Sequence, residues 1–322
     1  MRTNSPLVSI ILPVYKEPPE FFENSYNSLN SQSYKNLEII VILDNPEHHK
    51  AIEYFSTAAK NNLNTHFYIN EENLGLIKTL NIGINIAKGE FIARMDSDDI
   101  SMPSRIKNQL SYLQENSLDF VGGFANTIDS QSSFIGNWKM PVTPNGIREF
   151  TKYHTPVLHP TWLCKTKVLK ILQGYREIKH VEDHDLVARA ILEGFNIGNL
   201  PEQVIQYRIN PESISNTNSQ WAYWGRVFIG LCFSDRTLNQ ITKSDFEDFI
   251  EHKISLEYDD PRKNYHLLVQ SFKRVQFISF LESFFKLIKS LPQVIIRIRN
   301  KFMIKYILLK DGINSSWLFR KT

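Results

Sequence analysis

The chain has 322 residues, a formal net charge of +3, 42% hydrophobic and 12% aromatic residues. That length supports a large buried core in one or two domains, and so small a charge argues against nucleic acid as the main partner. Cys164 and Cys232 are the only cysteines; with no metal-ligand spacing around them they exclude a disulfide framework and a structural zinc site and favour a reducing compartment.

In chain order, Leu7–Leu12 is a continuous, β-branched apolar run, the pattern of a central strand covered on both faces. Pro13 to Glu17 follow as a loop, and Pro18-Pro19 opens a helix carrying Phe22, Tyr26 and Leu29. This strand–loop–helix start places Tyr15 and Glu17 at the carboxyl edge of the sheet, where open α/β sheets bind ligands. Leu37–Leu43 is a second strand ending at Asp44, followed by a helix over Glu47–Lys60 and a strand at Thr65–Ile69. Gly75–Ala87 repeats apolar residues at helical spacing, with Gly89 expected as its C-cap. The alternation predicts an α/β layer fold with a mostly parallel, Rossmann-like sheet flanked by helices. No G-x-G-x-x-G follows the first strand and no Walker loop exists, so phosphates must be held by a metal and side chains.

Phe91–Pro103 reads FIARMDSDDISMP: a buried strand dropping directly into Asp96, Asp98 and Asp99, with Pro103 starting the next helix, expected through Asn116. Carboxylates crowded at a strand end repel each other and are costly unless a cation or a sugar hydroxyl joins them. Hard cations such as Mg2+ bind through one or two carboxylates plus substrate phosphates. Asp96 and Asp98 therefore read as an Asp-x-Asp pair holding a divalent metal, Mn2+ or Mg2+, on a nucleotide diphosphate; for an isolated pair, a solvated turn capping the next helix is the plainer account. Leu118–Gly122 resumes the sheet, and Thr127–Met140 is expected as a hairpin-like excursion. His154 and His159 read as packed structural residues near Trp162. Glu182-Asp183-His184-Asp185 precedes a helix over Leu186–Glu193 and reads either as helix-capping charge or as the site of a general base.

Three segments in one order, VSIILPVYKE, EIIVILDN and NLGLIKTLNIGINIAKGEFIARMDSDD, resemble the family 2 glycosyltransferases of the GT-A fold, as used in bacterial capsule, exopolysaccharide and O-antigen synthesis. The resemblance continues through ISMPSRIKNQ and HPTWLCK to HVEDHDLVARAILEGFNIGNLPEQVIQYRI, roughly residues 6–215. By position it implies donor contacts from Pro13, Tyr15, Glu17, Asp44 and Asp96, with Lys78 and Arg94 near phosphate, metal ligation by Asp98 and Asp96, and Asp183 as base with Glu182 as the alternative. One departure stands out: the first acid of the family's pair after the second strand is Leu43 here, and Asn45-Pro46 replaces Gly-Ser.

The resemblance further implies an inverting, metal-dependent transfer from a nucleotide sugar, UDP-linked before GDP or dTDP, to a glycan or polyprenyl-diphosphate-linked saccharide. Two alternatives are weighed against it. A sugar-1-phosphate nucleotidyltransferase normally has a glycine-rich loop where PVYKEPPE stands; an inert nucleotide- or carbohydrate-binding module would not need Asp96, Asp98 and Asp183. Two regions are expected: 1–215 catalytic, and 216–322 helical after a polar linker at Ser213–Ser219. From Ser283 to Lys310 basic and apolar residues alternate without an acid, either an interfacial membrane contact or a solvated basic face. With no signal pattern at the N-terminus and no stretch near the ~20 apolar residues a span requires, the expected location is cytoplasmic, or peripheral on the inner membrane's cytoplasmic face.

Overall fold

The computed structural model describes residues 5–209, 219–257, 300–311 and 313. The first half alternates strand and helix: β1 (Val8–Val14), α1 (Pro19–Asn30), β2 (Leu37–Leu43), α2 (His49–Asn61), β3 (Thr65–Ile69), α3 (Leu76–Ile86) and β4 (Phe91–Arg94). Next come β5 (Ile100–Ser101), α4 (Arg105–Glu115), β6 (Phe120–Ile128), β7 (Phe134–Trp138), α5 (Pro144–Thr151), β8 (Leu163–Lys165), α6 (Thr166–Ile171), α7 (Glu182–Leu192) and β9 (Ile197–Arg208). All nine strands of the described residues join one sheet in the order β3-β2-β1-β4-β8-β6-β9-β5, with β7 paired to β6. β3, β2, β1 and β4 are parallel. Beyond β4 the sheet is mixed, because β8 runs antiparallel to both β4 and β6 while β6 and β9 are parallel.

The side-chain period of two explains why β1 and β2 are apolar throughout. Val8, Ile10, Leu12 and Val14 pack on one face in a cluster with Phe22, Tyr26, Leu29 and Phe55 of α1 and α2. Ile11 points to the other face, against Leu80 and Ile84 of α3. Both faces of these strands are thus covered by helices, and their loops emerge together at one edge.

Several boundaries differ from expectation. β1 continues through Pro13 and Val14, which pair with Ile42 and Leu43 in β2. α3 ends at Ile86 with extended Ala87 as its C-cap, and Gly89 has another purpose: a Cβ there would lie 2.6 Å from the Ser9 nitrogen, so the strand can approach only a glycine. α4 starts at Arg105 after Ser104, because β5 and Met102 first pair with β9 and hold Pro103 outside the helix. α7 begins at Glu182, four residues earlier than expected, so all three acids lie in its first turn.

Two further helices, α8 (Ser219–Ser234) and α9 (Lys243–Glu257), pack Trp224, Phe228, Ile229, Phe246 and Ile250 around Val181 and Ala188 of the α7 region. A last helix, α10 (300–310), returns Ile304, Ile307 and Leu308 to the cluster that contains β1 and β2. Just after it, the Asp311 carboxylate accepts hydrogen bonds from the Val142 and Thr143 nitrogens at 3.0 and 3.2 Å and from Thr143 Oγ1 at 2.7 Å. The expected linker, apart from Ser219, and the basic stretch over 283–299 lie outside the described residues. No helix among the described residues is long and apolar enough to cross a membrane.

Candidate active site

The loops after β1, β2 and β4 build one side of the site. After β1, the Tyr15 N–H donates to Glu17 Oε2 at 2.8 Å, and the Glu17 carbonyl accepts from His48 Nε2 at 3.0 Å. This tight turn leaves Tyr15 and Glu17 partly buried, with Pro13 buried behind them in the strand. After β2, buried Asp44 is tied to the protein: Oδ1 accepts from Asn70 Nδ2 at 2.7 Å and the Leu74 N–H at 2.8 Å, and Oδ2 accepts from the Gly75 N–H at 2.8 Å. Gly75 has φ of +83°, the left-handed region that glycine enters without strain, and forms the N-cap of α3. Asp44 therefore shapes the 70–75 loop, and Oδ2, with one protein donor, is its freer oxygen.

β4 delivers the acids. Arg94, 5% exposed, grips Asp96 with both terminal nitrogens: Nη1 donates to Oδ2 at 2.6 Å, and Nη2 pairs with Oδ1. Beneath the strand, buried Arg105 donates to the Arg94 carbonyl at 2.7 Å, the Trp162 carbonyl at 3.3 Å and Gln109 Oε1 at 3.1 Å. Burial lowers this guanidinium to about 9, so it stays charged at neutral pH. The turn is pinned from outside by Arg208 at the end of β9. Its N–H donates to Asp99 Oδ1 at 2.8 Å and its Nε to the Asp98 carbonyl at 2.9 Å, while its guanidinium lies 4.2 Å from the Phe21 ring centre.

In this turn, carboxylate oxygens of Asp96, Asp98 and Asp99 lie within 4.8 Å of one another. Burial pushes the Asp98 carboxyl up to about 7, helped by the charges of Asp96 and Glu17 and opposed by Arg94. Burial, then Asp98 and Asp96, push Asp99 well above the ordinary carboxyl range, and its Oδ2 is buried without a partner. Arg94 is committed to Asp96, which among the described residues leaves Asp98 and Asp99 without a paired cation. An all-oxygen set with an unsatisfied buried oxygen fits a hard divalent cation.

The second acidic group stands in the first turn of α7. Asp185 is fully buried between two arginines: Arg176 through Nε at 3.1 Å and Nη2 to its other oxygen, and Arg189 through Nε at 2.8 Å. Glu182 and Asp183 are left. Burial, then the Asp183 charge, raise Glu182 to about 7. Burial also raises Asp183, against the His184 N–H, which donates to Asp183 Oδ1 at 2.7 Å, and against Arg226 and Arg94. Arg94 thus acts electrostatically on both acidic groups.

The remaining candidates divide. Partly buried His159 packs against Trp162 and shares a 2.7 Å hydrogen bond with Tyr175 Oη; desolvation pushes it well below its ordinary value. Desolvation pushes partly buried His154 down to about 3. Both are neutral packed residues. Lys78 is exposed and 3.9 Å from Glu177, a solvated pair on the surface of α3. Asp99, Arg105, Arg208 and Arg226 were not singled out from the sequence. Asp99 was visible in the DSDD run, and Arg105 stands only eleven residues from the Arg94 carbonyl it binds, but Arg208 and Arg226 lie far along the chain from the turns they support.

The pattern of the glycosyl transferase family 2 matches residues 9–170, half of the chain. The chain is a family 2 glycosyltransferase. An uncharacterised glycosyltransferase of Methanocaldococcus jannaschii is 31% identical over 211 residues, 64% of this chain and 72% of that protein. The O-antigen biosynthesis glycosyltransferase WbnJ of Escherichia coli is 30% identical over 210 residues, 64% of this chain and 81% of its own. A UDP-Gal:α-D-GlcNAc-diphosphoundecaprenol β-1,3-galactosyltransferase of E. coli is 23% identical over 258 residues, 76% of this chain and 92% of its own. Among solved structures, S. aureus TarS 1–349 in complex with UDP-GlcNAc superposes with a TM-score of 0.58 at 16% identity, covering 96% of this chain and 93% of that one. The Pyrobaculum calidifontis mannosyltransferase PcManGT, in complex with GDP-Man and Mn2+, gives 0.57 at 16%, covering 99% and 89%. The transferase therefore has the GT-A fold, and its family sets aside the nucleotidyltransferase alternative.

Proposed function

We propose that this transferase moves a sugar from a UDP-sugar to a hydroxyl of a glycan or lipid-linked saccharide in surface polysaccharide synthesis, with inversion at the anomeric carbon and with a divalent cation. The observation that carries the reading is the Asp98–Asp99 pair, crowded, raised in pKa and left without a cation partner because Arg94 is committed to Asp96. Asp98 and Asp99 would hold the cation, with Asp96 oriented beside them by Arg94. A divalent cation there supplies Lewis-acid neutralisation of the diphosphate leaving group. Tyr15, Glu17 and Asp44 stand on the same sheet edge and frame the nucleotide, with Asp44 Oδ2 as its polar contact. Solved structures of the same fold hold UDP-GlcNAc or GDP-Man with Mn2+, and relatives act in O-antigen synthesis and on a diphosphoundecaprenol acceptor.

On the acceptor side, Asp183 takes the hydroxyl proton as that oxygen attacks the anomeric carbon. The bond from that carbon to the phosphate oxygen breaks, and the nucleoside diphosphate leaves from the opposite face. Burial raises this carboxyl, which makes its ionised form a stronger base toward the hydroxyl proton. One displacement through an oxocarbenium-like state turns an α-linked donor into a β-linked product, as in inverting glycoside hydrolysis. Catalysis is assigned to 1–215 and support to 216–322. Lys301, Lys305 and Lys310, with exposed Phe302, Tyr306 and Leu309 on α10, support docking to an anionic membrane surface that presents a lipid-linked acceptor. The function is tested by nucleoside diphosphate release from a panel of nucleotide sugars, with Mn2+ and with chelator. Wild-type rates in both Asp98→Ala and Asp183→Ala would refute it.

A further inference from the structure

We infer that Arg226, on α8, is a positioning residue for the reaction: the packing of α8 on α7 sets its guanidinium beside Asp183, the base, which makes the helical region past 215 part of the catalytic unit. The inference rests on the reading of Asp183 given above and goes beyond it, because Arg226 lies outside the matched residues 9–170.

Packing brings the residue there. At Gly225 a Cβ would lie 3.0 Å from both Cγ atoms of Val181, so α8 crosses α7 at its closest approach one residue before Glu182. Val181 and Trp224 are both 1% exposed and belong to one apolar cluster with Phe228 and Ile229. The contact sets α8 beside the first turn of α7, where Arg226 and Asp183 are electrostatic neighbours. Partly buried, Arg226 makes no hydrogen bond and no ion pair within 4.0 Å among the described residues. Its guanidinium is instead an electrostatic neighbour of Asp183, His184 and His154.

The other groups around Asp183 cannot substitute for it. Glu182, beside it on the same helix, is a like charge that disfavours ionisation. Tyr175 is buried and neutral. The His184 ring donates from Nε2 to the Thr151 carbonyl at 2.7 Å and is pushed down to about 4, so it carries no charge; His154 is neutral as well. Arg94 reaches Asp183 but is already bound to Asp96. Among the described residues, Arg226 is therefore the uncommitted positive charge beside the base. A guanidinium suits the task, since it stays protonated even when burial lowers its pKa.

The test is the pH dependence of kcat for sugar transfer, at saturating donor and metal, in wild type, Arg226→Gln, Arg226→Lys, Gly225→Ala and Asp183→Asn. Removing the charge protonates Asp183 at higher pH, so Arg226→Gln should lose about tenfold at the acid end and recover toward wild type as pH rises. Arg226→Lys should follow wild type. Gly225→Ala, which pushes α8 away from Val181, should shift the acid limb in the same direction by less, and it keeps the inference open to refutation if the Gln variant does not fold. A loss of equal size at every pH, or an unchanged profile in both Arg226→Gln and Gly225→Ala, overturns the inference. Full transfer activity in Asp183→Asn overturns instead the reading it rests on.

Discussion

The two acidic groups of this transferase look alike on paper, Asp-Ser-Asp-Asp and Glu-Asp-His-Asp, yet their surroundings make them different instruments. In each, one carboxylate is neutralised by arginine: Asp96 by Arg94, and Asp185 by Arg176 and Arg189. The difference lies in what is left. Asp98 and Asp99 sit in a tight turn clamped by Arg208, with one buried oxygen unpartnered, and a cation, a proton or a sugar hydroxyl would relieve that crowding. Glu182 and Asp183 sit on the first turn of a helix, which favours negative charge, and Arg226 and Arg94 face them at longer range. On the function proposed above, the first arrangement binds a metal and the second exchanges a proton. Carboxylate count does not decide function here; the location of the arginines does.

This contrast can be broken experimentally, beginning with its largest expected consequence. Asp98→Ala should lower kcat/KM for transfer by about 10⁴-fold, the several kcal/mol of charge stabilisation a metal supplies, and should abolish the response to added Mn2+. Asp183→Asn should cost about 10³-fold in kcat, within the range of general base catalysis, while nucleotide-sugar affinity, measured by calorimetry, stays near wild type. Asp185→Asn leaves Arg176 and Arg189 without their carboxylate and should destabilise the fold by ~3–5 kcal/mol, read by denaturant unfolding. Equal stability there would mean that the second group has no structural member.

The smallest effect is in the pH dependence of stability. Asp98 and Glu182 both have carboxyls raised to about 7 in the fold, against about 4 in an unfolded chain. A raised carboxyl favours the folded state fully below its unfolded value, and that contribution is lost as pH climbs toward 7. Between pH 5 and pH 8 the chelated wild type should therefore lose more melting temperature, or gain less, than an Asp98→Asn, Glu182→Gln double variant, a comparison that cancels the opposite contribution of neutral His154, His159 and His184. Mn2+ should raise the melting temperature more at pH 8, because it binds the ionised Asp98. Scanning fluorimetry at the two pH values, with and without chelator, checks both statements.

Much of the donor side was legible in the sequence because it is local. β1, β2 and β4 are short apolar runs, and Asp44 and Asp96 follow directly where the strands end. Less legible was anything that depends on distant packing. Asp44 matched a nucleotide contact by position, but its bonds to Leu74 and Gly75 across the β3 excursion could not be read from EIIVILDN. The antiparallel entry of β8 had no signal in a run of three residues. Pro103 looked like a helix start, and only the pairing of β5 with β9 explains why the helix waits for Arg105. Arg226 sits in an aromatic helix whose pattern says only that it is buried, and its neighbour Asp183 is over forty residues away in the chain.

The most direct test of the central claim is a calorimetric titration of Mn2+ into the full chain at pH 7.5, with and without UDP, for wild type and Asp98→Asn. The account predicts one Mn2+ per chain in wild type, tightened by UDP, and no measurable binding in the variant. Undiminished Mn2+ and UDP binding in Asp98→Asn, or full transfer activity in wild type under chelation, would contradict it.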